Sequence, residues 1–471
     1  MISRPCLLIA LAGLSGCASG LREAPELAQT APPENFASAP SPGELNPDWL
    51  QALGDPLLSD LVSEAAAGNF DVARSTALVR RARAMAEAAN GQRFLEGGAG
   101  GSASRNQLSE NGVIPVGRVP GFDRTYSLFD AGFDASYEFD IWGRKDSRVR
   151  ARLADAEVAA QTRRATLLTV MAETARTYGQ LRSLEMQEKA LSNRLASAQE
   201  KLVLAELRKK HGEAPLSESI AIAGEADALA AQLPPLQGRI KVAMFQLALL
   251  SGRQPSELVE RLAGTGTLPA LPDAILSGLP SEMLKRRPDV AAAAFEFDAE
   301  RQRLKVAKAD LFPRFFLLGS LGRQERDIDG IASGGSGRFS IGPSFSWPIF
   351  EMGSIRARIR GADAGVDAAA SKYEQAVLTA LNESESALTR YARAREAVAL
   401  AKKATARAAE NEALSAKLYR SGEITKLVWL DAQMQGYLAE QRLAVIQGDA
   451  FQKLISAYKA LGGGWPDSLS E

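Results

Sequence analysis

Few residues of this chain have the chemistry to transfer a proton, attack a bond or hold a metal, and their spacing keeps them apart. His211 is the single histidine among 471 residues. It stands between Lys210 and Gly212, where a helix is expected to end, and a solvated turn residue accounts for it better than a general base. The two thiols, Cys6 and Cys17, lie close to the N-terminus. One His and two Cys cannot assemble a Cys/His metal site. The glycines at 97–101 are not followed by the helix that a phosphate-binding loop requires. Arg286-Arg287-Pro288-Asp289 has the look of an anion clamp, but a proline and an acid opening a helix explain it more simply. The expectation is a protein that is not an enzyme and carries no metal or cofactor.

The acids with a clear pattern sit on a strand. From Tyr126 to Phe139 the residues alternate. Phe129, Ala131, Phe133, Ala135, Tyr137 and Phe139 share one face; Leu128, Asp130, Gly132, Asp134, Ser136 and Glu138 share the other. A period of two with one apolar face is a strand whose sides meet different surroundings. Phe339, Ile341, Pro343, Phe345 and Trp347 repeat the pattern against Ser340, Gly342, Ser344 and Ser346. Phe133 and Phe345 are expected to meet lipid, Asp134 and Ser344 water. Asp130, Asp134 and Glu138 are candidate lumen acids. They read equally as cation-attracting groups and as the ordinary polar wall of a water-filled barrel.

Behind that strand the period changes. From Leu153 to Ala205 a three-four spacing runs without a slip through Leu167, Val170, Thr174, Leu181, Leu184, Leu191 and Ala198, which is a coiled-coil seam. At 1.5 Å per residue the helix from Gly143 to Gly212 is roughly 100 Å long. A return helix carries its own seam at Ala226, Leu229, Leu233, Leu236, Ile240, Ala243, Leu247 and Leu250, with Pro234-Pro235 in its middle as an expected kink. The chain then repeats the series of helix, strand, loop, strand, long helix, turn and long helix. The period of about 210–218 residues is too long for a solenoid unit and reads as duplication of a half-subunit. The expected division is 1–16 signal peptide, 17–53 tether, 54–250 first repeat, 251–287 linker, 288–461 second repeat and 462–471 tail. The first repeat has strands near 94–106 and 126–140 and a helical hairpin over 143–250. The second has strands near 314–322 and 338–349 and a hairpin over 353–461.

Leu14-Ser15-Gly16-Cys17 follows an apolar core and resembles a bacterial lipobox, in which the Cys17 thiol takes the lipid. Lipid chains anchor in proportion to their buried methylenes. Past residue 17 no run of 18 apolar residues occurs, so no membrane-spanning helix is expected. Lys plus Arg and Asp plus Glu both number 56 and the basic residues are not clustered, so nothing argues for nucleic acid.

Several motifs in combination resemble the outer-membrane efflux protein family, the TolC/OprM-like channels, and within it the NodT-like lipoprotein branch. They are Trp49-Leu50 with Gly54-Asp55-Pro56-Leu57-Leu58, Glu138-Phe139-Asp140-Ile141-Trp142-Gly143-Arg144, the run from Leu279 to Val290, Ala309-Asp310-Leu311-Phe312-Pro313, and Tyr419 with Gly422 and Leu430-Asp431-Ala432-Gln433. The resemblance implies a mixed α and β fold. Four strands per chain would make a homotrimeric twelve-stranded transmembrane β-barrel, continuous with a long periplasmic α-helical barrel. It also implies a periplasmic adaptor, an inner-membrane transporter of the RND type or similar, and outer-membrane lipid as partners. Independently, four strands cannot close a barrel and lipid forbids open edges. Eight strands leave a lumen filled by side chains, so three chains make the smallest ring with a pore. By the same resemblance Asp431 matches an acid at the closed periplasmic tip, and Tyr419 joins it as a candidate gate residue. Val428 stands where some relatives carry a second acid, which implies a weaker or different constriction. The two helix turns, with His211, Gly212, Ser421 and Gly422, are candidate adaptor-docking points. The leading expectation is a passive outer-membrane conduit for small exported compounds. A protein-secretion duct on the same fold and a pore-free periplasmic coiled-coil lipoprotein are the alternatives.

Overall fold

The structure, a computed structural model, describes residues 33–37, 49–109, 123–264, 266–275 and 277–463. Cys17 lies outside them, as does the tail after Gly463. In chain order the first elements are α1 (Trp49–Ala52), α2 (Pro56–Gly68), α3 (Phe70–Gly91), β1 (Glu96–Gln107) and β2 (Thr125–Phe139). Then come α4 (Arg144–Lys210), α5 (Leu216–Ala230), α6 (Leu233–Leu250), α7 (Pro255–Leu262), α8 (Pro280–Arg286) and α9 (Pro288–Ala309). The last are β3 (Arg314–Glu325), β4 (Gly337–Ser346), α10 (Met352–Ser421) and α11 (Lys426–Ala460). Among the described residues no helix is long and apolar enough to cross a membrane.

Two compact units cut across both repeats. One takes 80–157 and 294–372; the other takes 158–293 and 373–463 with the described residues before Arg80.

The first unit holds the sheet. Its order is β1-β2-β3-β4, and each neighbouring pair is antiparallel. The register places Phe133 beside Leu321 and Leu321 beside Phe339, while Phe139, Phe315 and Phe345 form a second apolar row. Asp134 stands beside Ser320, and Ser320 beside Ser340, on the opposite face. Phe133, Leu321, Phe339 and Phe345 are all more than 60% exposed, so this face is bare hydrocarbon in the single chain from Phe133 to Phe139, with Arg105, Arg323 and Glu325 at its far end. A soluble domain buries such a face; a bilayer covers it. β3 runs three residues past the expected Gly322, to Glu325. β4 stops at Ser346, three residues short of the expected 349, because Pro348 has no N–H to continue the ladder, and a 3₁₀ turn over Ile349–Glu351 leads into the long helix. Beside the sheet, Phe297, Leu304, Leu311, Ile355, Ile359 and Val366 pack α9 on the start of α10.

The second unit holds the main core. Here the expected α4 seam is buried at Leu167, Val170, Thr174, Leu181, Leu184, Leu191, Ala198 and Ala205. Its first member, Leu153, lies in the other unit and is 53% exposed; the next seam position, Ala156, is buried there, and so are Val149, Ala151 and Ala154. The return helix is not one kinked rod. It ends at Ala230 and restarts at Leu233, so Pro234 lies in the first turn of α6, where its missing N–H removes no helical bond. The stretch 251–287 contains two short helices that bury Leu258, Leu262 and Met283, so it packs rather than merely links. Within the expected tether, Phe36 is buried in the core, Ala37 donates its N–H to Glu385 at 2.7 Å, and Trp49 stacks on Tyr458 at 4.0 Å between ring centroids.

Candidate functional site

The polar face of the sheet is the first candidate. Asp130 does not face water alone. Arg338 clasps it with Nη2 on Oδ1 at 2.7 Å and Nε on Oδ2 at 2.8 Å, and Gln324 Nε2 donates to Oδ2 at 3.1 Å. Arg338 belongs to β4 and Asp130 to β2, so the guanidinium reaches across β3. It can because the residue paired with Arg338 is Gly322, which pairs in turn with Gly132, and that with Gly100. Three glycines in a row leave the space above the backbone open. A Cβ at Gly132 would lie 2.8 Å from the Leu321 carbonyl oxygen and 2.9 Å from Gly322 Cα.

Glu138 is also engaged. Arg144 Nη2 donates to its two oxygens at 2.7 and 2.6 Å, and both side chains are close to 10% exposed. The turn that brings them together is fixed by Asp140, whose carboxylate accepts the backbone N–H of Lys145 at 2.9 Å and of Asp146 at 2.8 Å. Trp142 stacks on Phe312 at 4.5 Å and donates its indole N–H to the Pro313 carbonyl at 2.8 Å, which pins the turn to the entry of β3. Asp134 makes no hydrogen bond or ion pair with any described residue. It opens onto a groove of about 620 Å³ lined by Glu96, Gly98, Ser320, Ser340 and Ser344. Two of the three candidate lumen acids are therefore neutralised within the chain. Sequence reasoning missed Arg338, although the β4 alternation already puts it on the polar face with Ser340.

The helix turns are the second candidate. Gly212 and Gly422 have φ of 75° and 80°. In each turn the glycine N–H and the next N–H bond back to helix carbonyls: Gly212 to Lys209 at 3.0 Å and Glu213 to Arg208 at 2.9 Å, Gly422 to Tyr419 at 3.0 Å and Glu423 to Leu418 at 2.9 Å. This double bond pattern closes a helix on a left-handed residue, and glycine adopts that conformation without strain. His211 is exposed, and Ser421 Oγ donates to Glu423 at 2.9 Å.

Asp431 is not a solitary acid. Lys201 on α4 donates to it at 2.6 Å and lies 3.4 Å from Glu225 on α5. Glu200 pairs with Lys426, and Ser197 Oγ meets Gln433 Oε1 at 2.7 Å. A polar seam thus joins the closing turns of α4 to the opening turns of α11. Burial lowers the Lys201 pKa, but the hydrogen bond Lys201 donates to Asp431 and the charges of Asp431 and Glu225 outweigh it and hold the value above that of an ordinary lysine. A raised lysine pKa means the pair's contribution is present at neutral pH and is lost only as pH rises through the raised value. Tyr419 is not in this seam; it stacks on Trp429 at 5.4 Å, and Trp429 donates to Glu412 at 3.3 Å. Among the described residues no group of three or more His, Cys, Asp or Glu could hold a metal ion.

The family described as "Outer membrane efflux protein" matches residues 61–253 and 279–463. The pyoverdine export outer membrane protein OpmQ of Pseudomonas putida is 30% identical over 470 residues, 98% of this chain and 97% of its own length. The toluene efflux pump outer membrane protein TtgF, also of Pseudomonas putida, is 26% identical over 91% of this chain and 87% of its own. The solved outer-membrane channel OprN superposes with a TM-score of 0.85 at 31% identity, covering 94% of this chain and 99% of that one. The fold is theirs: mixed α and β, with four strands per chain for a trimeric twelve-stranded outer-membrane barrel and long helices for a periplasmic helical barrel. This chain is an outer-membrane channel of the efflux type and a component of an efflux pump, and it belongs to the outer membrane efflux protein family.

Proposed function

We propose that the chain is the homotrimeric exit duct of a tripartite pump, passing small molecules from a periplasmic adaptor and an inner-membrane transporter of the RND type or similar to the exterior. One observation carries the reading. A four-stranded sheet has one bare apolar face, one polar face and two unpaired edges, and lipid tolerates no unpaired edge. Only further copies can remove those edges. Conduction is passive, and no catalytic step is assigned to any residue. Cargo of the relatives, pyoverdine for one and toluene for another, supports small organic compounds as the class. Purified chain that runs as a monomer on unheated gels and opens no channels in planar bilayers would sink this reading.

Three finer assignments rest on it. Cys17 carries the lipid anchor, as its lipobox-like setting implies; an unacylated mature N-terminus by mass spectrometry would dismiss it. The turns at His211-Gly212 and Ser421-Gly422 dock the adaptor, being the exposed ends of the paired long helices. Cross-linking from His211→Cys and Ser421→Cys tests this, and no adduct with the adaptor counts against it.

The third concerns the gate. Asp431 holds the seam between the two hairpins through Lys201, and Tyr419 supports it from the second turn through its stack on Trp429. Asp431→Ala is expected to raise the open probability of single channels. The fold should lose less than about 1 kcal/mol, because the carboxylate is half exposed. Raising the pH through the Lys201 pKa should open the parent channel in the same way and leave Asp431→Ala unmoved. A pH response that survives the substitution contradicts the assignment.

A further inference from the structure

Where β2 and β3 meet the helices, the first unit gathers three arginines and two carboxylates. Glu138 is committed to Arg144, and Asp310 to Arg314 at 2.6 Å. That leaves one guanidinium. Arg148 follows Arg144 by four residues on α4 and so shares its helix face. It is partly buried and makes no hydrogen bond or ion pair with any described residue. Burial, then repulsion from Arg144 and Arg314, outweighs the attraction of Glu138 and Asp310 and draws its pKa below the ordinary guanidinium value. It remains a cation at any physiological pH, since arginine does not deprotonate in proteins. A half-buried guanidinium with two like charges near it is unfavourable until an anion meets it, and its planar fork suits a carboxylate or phosphate.

The setting has a direction. Glu138 lies on the same strand face as Asp134, and Arg314 alternates with Phe315 onto that polar face of β3. We propose that Arg148, flanked by Arg144 and Arg314, binds the carboxylate or phosphate group of a water-borne anion at the helix end of the polar sheet face. The proposal rests on the channel reading for its source of ligand: an anion on that face comes from the water inside the duct, and Arg148 would give anionic cargo a resting point.

The test uses purified full-length chain in planar bilayers of phosphatidylcholine alone, which excludes anionic headgroups. Citrate or inorganic phosphate is added to the aqueous phase and block of the potassium chloride current is read. Citrate should block the parent channel. In Arg148→Gln the half-blocking concentration should rise about tenfold, the order expected for one charge-assisted hydrogen bond. Arg148→Lys, which keeps the charge but not the fork, should fall between them. Block should also weaken as salt rises. Equal block in the parent and Arg148→Gln, or channels that conduct with no block in either, overturns the proposal and leaves the channel reading intact. A second readout needs no conduction: citrate should raise the thermal midpoint of the detergent-solubilised parent and not that of Arg148→Gln. Equal shifts overturn the proposal. So does an Arg148→Gln trimer that dissociates more readily while its citrate block is unchanged, because Arg148 would then serve a carboxylate of a second copy. If Arg148→Gln does not fold, Arg148→Lys carries the comparison, and parent-like block and parent-like thermal shift in it count against the fork.

Discussion

Gly179→Val is expected to destabilise the helical unit by several kcal/mol, the largest single effect foreseen for this chain. A Cβ at Gly179 on α4 would stand 2.1 Å from Cδ1 and 2.5 Å from Cε1 of Phe451 on α11. Phe451 cannot retreat. It is fully buried, as are Leu454 and Ile455 on its own helix and Leu181 on the facing one. Close-packed interiors leave no void for a displaced ring, so the helices must separate or the ring must leave its rotamer. Phe451→Ala removes the ring instead and should cost about 3–5 kcal/mol through lost burial and the cavity left behind. The two changes touch one site and should not add: the double variant should be more stable than the summed singles imply. Urea unfolding of the detergent-solubilised trimer, followed by circular dichroism, measures all three. A Gly179→Val midpoint equal to that of the parent would show that α4 and α11 do not pack at this contact.

The second large effect lies in ion selectivity, and its signs are opposite for the two members of one pair. Asp130→Asn removes the carboxylate that holds Arg338, so a free guanidinium is left on the polar face and the permeability ratio should move toward anions. Arg338→Gln leaves Asp130 with only Gln324 for company and should move the ratio toward cations. One charge acting across a few ångströms of partly screened space is worth about 1–4 kcal/mol, so a shift of about fivefold or more is expected. Asp134→Asn should also move the ratio toward anions, because that carboxylate has no partner to release. Reversal potentials in a potassium chloride gradient read these shifts. If Asp130→Asn and Arg338→Gln shift the ratio the same way, the two groups do not act as a pair in the membrane-embedded chain.

These signs were not legible in the sequence, and the reason is specific. Alternation put Asp130 and Glu138 on one strand face, and the structure places them there. What alternation does not contain is register across two ladders. The Asp130–Arg338 bridge exists because Gly322 stands opposite Arg338, a fact that only the paired strands reveal. Leu153 shows a similar limit. Three-four spacing tells which residues share a stripe, not what covers it, and at the start of α4 the covered positions beside the seam residue Ala156 are Val149, Ala151 and Ala154. Glycine was the more readable signal. Gly212 and Gly422 read as helix ends in the sequence, and both take the left-handed conformation that such an ending needs. Pro234 was readable as an interruption but not as a restart, because a proline inside a helix and a proline opening one differ only in what the two residues before it do.

The row of Gly100, Gly132 and Gly322 has one more meaning for a duct. At that level three of the four strands present bare peptide to the interior, and the fourth presents Arg338, leashed to Asp130. On those three strands the wall is made of main-chain atoms that hydrogen bonds hold in place, so it does not shift with side-chain rotamers. Such a section works as a rigid collar with a single latch. A bulky solute passing it need displace one arm per subunit and nothing else, and the main-chain wall beside the arm keeps its place as the arm swings.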